Sequence, residues 1–428
     1  MERLYAVFEK YPRICTDTRQ INPGCLFFAL KGERFDGNQF AGEALEKGAA
    51  YAVVDNYQGT DPRCIRVPDV LRALQDLAAM HRSGFRGPVF ALTGSNGKTT
   101  TKELIHAVLS VNYRVTATQG NLNNHIGVPL SILKMNRDTE VGLFEMGASH
   151  PGEIAFLTEI VRPTAGLITN VSGSHLEGFG DLEGVMRCKG ALYDYLASTG
   201  GTVFCHVEDP VLTGMLLERK IMENVVPYGI KRQGVKAWLQ EGFLIFSLKG
   251  YPDITTHLAG LYNVPNVLAA LAVAEHYRIE RTKAVQAVAS YVPSNNRSQW
   301  IKTSRNSLIA DAYNANPVSM TLALENLASL DGRGKVAILG DMLELGPVSA
   351  REHLGIVRMV EKMDLEKVFW VGPYFTQAVH QNGAKGFCFP KVENLIDHLK
   401  KNPLEGNIVL IKGSNGIRLR ELIASGVC

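Results

Sequence analysis

Residues 91–102 read ALTGSNGKTTTK and follow the short apolar approach Pro88-Val89-Phe90. A strand, two glycines, a lysine and a row of hydroxyls, in that order, describe a phosphate cradle between a strand and a helix. Gly94 and Gly97 let the backbone curl until its amide N–H groups face phosphate oxygens. Lys98 supplies a point charge and Thr99 a hydroxyl for Mg²⁺. The next residues carry Leu104, Ile105, Val108 and Leu109 on one helical face, as an amphipathic helix requires. The usual formula has a glycine five places before the second one, and here that place is Leu92, so the cradle is a variant. The plain alternative is a polar turn before a helix.

Outward from this loop, composition narrows the classes. The chain has 428 residues, enough for two to four domains. Lys plus Arg (45) nearly balances Asp plus Glu (42), so no basic field suggests a nucleic-acid partner. Seven cysteines are scattered without a Cys-x-x-Cys pair, which argues against a disulfide framework or a structural zinc site. No run of eighteen apolar residues reads as a spanning helix. The start, MERLYAVFEKYPRICTD, lacks an apolar core of signal-peptide length. These features predict a cytoplasmic protein.

Strand-like and helical runs alternate throughout. Residues 1 to about 82 hold strand candidates at Cys25–Leu30 and Ala50–Val54, a helical stretch at Ala41–Lys47 and a helix over Leu71–His81. Ser83-Gly84 and Gly87-Pro88 punctuate the joint. A second unit has strands at Val89–Leu92, Val141–Phe144, Gly166–Thr169 and Thr202–Cys205. A β excursion follows near Phe243–Leu248, then a closing helix at Val267–His276. Tyr291–Ser298 reads as a polar hinge. Beyond it strands recur at Leu308–Ala310, Val336–Leu339, Val368–Val371 and Ile408–Ile411. This rhythm predicts α/β domains with mostly parallel sheets.

Polar stations fall at strand ends, where α/β sheets bind ligands. Glu145 ends the run Val141–Phe144 and is either an Mg²⁺ ligand or a surface carboxylate. His175 follows the strand ending Ile168-Thr169-Asn170 and is either a site residue or a structural hydrogen-bonder. Lys189 is either a solvent-facing lysine or an interior one that CO₂ converts to a carbamate. The amide-rich loop GNLNNHIGVP at 120–129 either contacts ligands or folds on Asx turns. Asn266 is a helix cap or, with Asn263, a reader of adenine. Asp311, Asn314 and Asn316 follow one strand of the third unit and suit ribose or phosphate. Lys412-Gly413-Ser414 follows the last strand.

TGSNGKTT at 93–100, NNHIGVPL at 123–130, EMGASHPGEI at 145–154, HLEGFG at 175–180 and DAYNANPVSM at 311–320 together resemble the Mur ligases. These are the ATP-dependent amide-forming enzymes of peptidoglycan synthesis. The resemblance spans essentially the whole chain, and DAYNANP points to the branch that adds D-alanyl-D-alanine. It implies a small N-terminal α/β domain for the UDP sugar (1–83), a central P-loop ATPase-like parallel-sheet domain (84–295) and a C-terminal Rossmann-like α/β domain (296–428). The implied reaction joins D-Ala-D-Ala to UDP-N-acetylmuramoyl-tripeptide through an acyl phosphate, with ATP and two Mg²⁺ ions, in a cytoplasmic monomer.

By position, the resemblance implies ATP contacts from Gly94, Ser95, Asn96, Gly97, Lys98, Thr99, Thr100, Asn263, Asn266, Arg297, Asp311 and Asn314. Thr99, Glu145 and His175 would hold metal. Lys98, Glu145, His175 and a carbamylated Lys189 would serve catalysis. Substrate contacts would come from Asp17, Thr18, Arg19, Lys31, Asp36, Asn123, Asn124, Asn316, Lys412 and Ser414. Three positions depart from the family pattern: Thr18 replaces a serine, His125 an acidic residue, and Asn296 the glycine before Arg297. A rival of another class is a P-loop switch protein that turns over ATP without forming a bond.

Overall fold

The computed structural model describes residues 1–428 except Arg34, Ser174, Asn295 and Arg333. Arg34 belongs to the segment 31–37 matched to uridine recognition, Ser174 to the loop before His175, and Asn295 to the hinge and a domain boundary. At those positions the expectations lie outside the described residues.

Three α/β units follow one another, as the alternation predicts. The first holds a four-stranded parallel sheet in which Leu26–Phe28 and Tyr51–Val54 are central, flanked by Ile14–Cys15 and Cys64–Arg66. The central strands are apolar and nearly fully buried, the mark of a sheet covered on both faces. Helix Val70–Gly84 then runs onto the second unit. Its Arg82 donates to the carbonyls of Val161 and Arg162, and Gln75 to that of His125. The first and second units therefore share one core cluster.

The second unit is built on a six-stranded, wholly parallel sheet. In spatial order its strands are Val225–Tyr228, Thr202–His206, Ala165–Ile168, Val89–Thr93, Val141–Glu145 and Val115–Ala117. The connections leaving Val89–Thr93 and Ala165–Ile168 diverge to opposite sides. That divergence opens a crevice beyond the carboxyl ends of these neighbouring strands. The β excursion is a three-stranded antiparallel sheet, Lys236–Gln240, Phe243–Ser247 and Ile254–Ala259. The expected closing helix starts earlier, at Val264, and a further helix, Arg281–Ser290, follows it.

The third unit has six strands. All pairs are parallel except the one formed by the edge strand Gln299–Lys302. Helices Pro317–Ser329, Ser349–Val360 and Pro373–Asn382 cover one face and Val392–Lys401 the other. Among the described residues no helix is long and apolar enough to cross a membrane.

Candidate active site

The phosphate loop owes its shape to two glycines. Gly97 has φ +77°, and a Cβ there would lie 2.8 Å from Asn266 Oδ1. At Gly94, φ +147°, a Cβ would meet Thr169 Oγ1 at 1.9 Å. Neither place admits a side chain. The adjacent strand end locks the loop. The amides of Ser95 and Asn96 donate to Asn170, and Thr169 Oγ1 and Asn170 Nδ2 donate to the carbonyl of Asn96. A second brace comes from behind, where Thr101 Oγ1 donates to Asn266 Oδ1, Asn266 Nδ2 to Asn263 Oδ1, and Asn263 Nδ2 to the carbonyl of Ala259. Asn263 and Asn266 thus both line the cavity and fasten the helix Lys98–Leu109.

Lys98 folds back over the loop, donating to the carbonyls of Gly94 and Ser95 at 2.8 and 3.1 Å. Burial lowers its ammonium pKa to about 8, against the opposing pull of Glu145. An arriving polyphosphate would give it a better partner than two neutral carbonyls. Thr99 Oγ1 donates to Glu145 Oε2 at 2.9 Å, and Asn123 Nδ2 to Oε1 at 2.8 Å. Both Thr99 and Glu145 are buried. A hydroxyl and a carboxylate side by side are the hard oxygen donors that suit Mg²⁺. The Asx-turn reading of the loop at 120–129 is met by Asn124, whose Oδ1 accepts from the amides of Ile126 and Gly127.

His175 enters from the next loop in a left-handed conformation, φ +53°. Its Nδ1 contacts Oε2 of Glu344, a third-unit residue, and that contact holds the Glu344 carboxyl below its ordinary pKa. Lys189 sits on the helix Leu182–Thr199 in a buried stripe with Val185, Cys188, Leu192 and Leu196. Burial, then the charge of Lys98, lowers its pKa to about 7. Its Nζ lies 5.9 Å from the Phe179 ring centroid, and among the described residues it has no ion-pair partner. Lys189 is thus an interior amine.

The third unit closes the cavity. Lys412 Nζ, almost wholly buried, donates to Asp311 Oδ2 at 2.5 Å and to the carbonyl of Asn314 at 3.1 Å. The Arg297 guanidinium lies 3.7 Å from the Tyr313 ring centroid, a cation–π distance. Asn296 and Ser298, on either side of Arg297, have φ +54° and +49°. The place where the family has glycine therefore needs a left-handed backbone, and asparagine is among the L residues that tolerate it best. Asn316 caps helix Pro317–Ser329 and also donates from Nδ2 to Asn96 Oδ1 at 2.8 Å, joining the third unit to the phosphate loop.

A cavity of about 850 Å³ lies at this junction. Its wall includes Ser95, Asn96, Gly97, Lys98 and Thr100 from the phosphate loop and Asn123, Asn124, Glu145 and His175 from neighbouring strand ends. Arg297, Asp311, Asn314, Asn316, Lys412 and Ser414 complete it from the third unit. Gly94, Thr99 and Lys189 stand behind this wall.

The first-unit residues are elsewhere. Asp17 caps a short turn and pairs with Arg19 at 2.7 Å. Lys47 Nζ donates to the carbonyl of Thr18. Lys31 pairs with Asp55 at 2.8 Å, and Asn38 Nδ2 bridges Asp55 and Asp36. Among the described residues, the two segments matched to uridine recognition do not line the cavity.

With this geometry in view, the chain matches three family domains: "Mur ligase family, catalytic domain" over residues 10–82, "Mur ligase middle domain" over 92–274 and "Mur ligase, glutamate ligase domain" over 296–415. The chain belongs to the Mur ligase family. This Mur ligase is 34% identical over 421 residues to the UDP-N-acetylmuramoyl-tripeptide–D-alanyl-D-alanine ligase of Bacillus subtilis, covering 96% of this chain and 92% of that protein. It superposes on a crystal structure of MurF from Acinetobacter baumannii with a TM-score of 0.85 at 30% identity, covering 97% and 93% of the two chains. The MurF ligase of Thermotoga maritima, solved in complex with ADP, gives 0.82 at 27% identity with 97% of each chain covered.

Sequence reasoning missed Glu344 and Tyr313 as wall residues. Glu344 lies shortly after the strand Lys335–Gly340, so the strand-end rule that found Glu145 was a usable signal for it.

Proposed function

We propose that this Mur ligase joins D-alanyl-D-alanine to UDP-N-acetylmuramoyl-tripeptide at the expense of ATP, giving the pentapeptide precursor of peptidoglycan. The observation that carries the reading is the single cavity walled by the phosphate loop, Glu145 and His175 on one side and Asp311, Asn314 and Lys412 on the other. A switch protein needs no third domain in its nucleotide site. The relatives' names supply the choice of acid and amine.

A carboxylate is a poor acylating agent because oxide is a prohibitive leaving group. The γ-phosphoryl of ATP therefore passes to the tripeptide's terminal carboxylate oxygen, giving an acyl phosphate and ADP. The free amine of D-Ala-D-Ala attacks that carbonyl carbon, the C–N bond forms, and the nitrogen loses a proton. Inorganic phosphate departs as the tetrahedral intermediate collapses. Positioning and charge neutralisation dominate such transfers. Gly94, Ser95, Asn96, Gly97 and Thr100 cradle the phosphates, and Lys98 moves from its two carbonyls to the transferred group. Arg297, Asp311 and Asn314 hold the nucleotide from the third domain, with Asn263 and Asn266 behind the loop. Thr99, Glu145 and His175 would hold Mg²⁺, two ions in all, which supply counter-charge to the phosphates. Lys189, as a carbamate, would add a carboxylate. Asn123, Asn124, Asn316, Lys412 and Ser414 face the peptide substrates. Asp17, Thr18, Arg19, Lys31 and Asp36 bind the UDP sugar.

In this reading the domains are 1–83, 84–295 and 296–428. A monomer suffices, because one chain walls the cavity. The nucleotide pools it draws on place the reaction in the cytoplasm. Lys98→Ala is the direct test. Turnover should vanish while the circular dichroism spectrum and melting profile stay as in the wild type, and retained turnover would reject the ATP site.

A further inference from the structure

Glu344 stands on the opposite side of the domain junction from His175, yet the two side chains are in contact. Nδ1 of His175 is buried and lies against Glu344 Oε2, though not aligned with it as a hydrogen bond, and it has no other partner among the described residues. A carboxylate can only accept there, so Nδ1 must carry the hydrogen. In the neutral ring the other nitrogen, Nε2, then keeps its lone pair for whatever enters the cavity that His175 lines.

The contact is built from both sides. Residues 341–343, before Glu344, are each pinned. Asp341 is buried and accepts from the amides of Tyr374 and Phe375. The amide of Met342 donates to His353 Nε2 and that of Leu343 to Ser414 Oγ. Glu344 itself is left-handed, φ +64°, a strained backbone for a residue with a Cβ. The segment then rests on the His175 turn. The Glu177 amide approaches the Glu344 carbonyl at 3.4 Å, and a Cβ on Gly346 would come within 3.3 Å of Glu177. Two strained residues therefore face each other across the junction, one of them on a braced loop.

We propose that Glu344 is a positioning residue for His175, delivered by the third domain, which fixes the imidazole as its Nδ1–H tautomer with Nε2 facing the ATP cavity. It acts through His175. Because the carboxylate comes from the third domain, His175 is oriented only when that domain is docked. Orientation of the second domain's ligand and closure of the third are thereby one event. The proposal rests on the reading of His175 as a site residue, since an oriented lone pair matters only if something binds it. Outer carboxylates of this kind tune a histidine ligand, and their removal costs about 10- to 100-fold in metal affinity or activity.

The test uses the full chain labelled with ¹⁵N-histidine, free of nucleotide and metal, with His175 assigned by His175→Asn. Long-range ¹H–¹⁵N spectra should show His175 as the Nδ1–H tautomer in the wild type and in Glu344→Gln, which still accepts a hydrogen bond. Glu344→Ala should give a mixture richer in Nε2–H. With ADP present, Mn²⁺ affinity should fall about 10- to 100-fold in the alanine variant and recover in the glutamine variant. An unchanged tautomer and Mn²⁺ affinity in Glu344→Ala would overturn the proposal. So would a wild-type His175 in the Nε2–H form, a result that needs no variant to fold. The spectra do not depend on which acid and amine are joined, so a failure here is distinct from a failure of the ligase reading.

Discussion

Lys189 makes a quantitative prediction about CO₂. Carbamylation needs a neutral amine: nitrogen attacks the carbon of CO₂, the C–N bond forms, and a proton leaves to solvent. With its pKa lowered to about 7 by burial, Lys189 is about three-quarters neutral at pH 7.5, whereas an ordinary lysine is about one part in a thousand neutral. The burial therefore multiplies the reactive form roughly 700-fold. Proton and CO₂ compete for the same lone pair, so lowering the pH through about 7 must remove the carbamate. Full-chain enzyme equilibrated with ¹³C-bicarbonate should show a carbamate carbon signal by NMR that is absent in Lys189→Met. The N-terminal amine appears in both and cancels. The signal should be strong at pH 8 and weak at pH 6. No Lys189-dependent signal at pH 8 would refute the assignment, and a signal that survives only near pH 10 would refute the pKa argument.

Other predictions follow from the same geometry. Gly97→Ala forces a Cβ into a left-handed residue and against Asn266. The backbone alone costs about 1–2 kcal/mol, so ADP affinity by calorimetry should fall about tenfold or more, and wild-type affinity would show that the loop is not the phosphate site. Asn316→Ser keeps a helix cap but removes the amide that reaches Asn96. Stability should hold while ADP affinity drops about fivefold, the worth of one neutral hydrogen bond, and an unchanged affinity would remove that contact from the binding-competent state. Lys412→Met leaves Asp311 without its cation. Because the Asp311 left behind is part-exposed to the cavity, the loss should fall below the roughly 3–5 kcal/mol of a fully buried pair, and no measurable loss in urea unfolding would mean that the pair is hydrated in solution.

The phosphate loop was legible because its function depends on local order: two glycines, a lysine and a hydroxyl on a strand-to-helix turn. The central strands were legible because a sheet covered on both faces demands unbroken apolar runs such as Val89–Leu92. Val115–Ala117, Val225–Tyr228, Gln299–Lys302 and Phe387–Phe389 were missed. They are edge or near-edge strands, mostly only half-buried, and short edges carry no strong apolar period. Lys189 could have been read as interior, since it falls between Val185 and Leu192 on the stripe of its helix. Asn263 and Asn266 show the opposite limit. Sequence gives the amide but not its partner, and the partner is the phosphate-loop helix some 165 residues away in sequence. Glu344 had no local signal beyond its strand-end position, because its role exists only when two domains meet.

The most direct test of the account is phosphate release by the purified full chain with ATP, Mg²⁺, UDP-N-acetylmuramoyl-tripeptide and D-Ala-D-Ala, each omitted in turn. Release should require both the tripeptide and the dipeptide, with a UDP-N-acetylmuramoyl-pentapeptide identified by mass. Release that ignores the dipeptide, or none from a folded enzyme, would contradict the ligase reading.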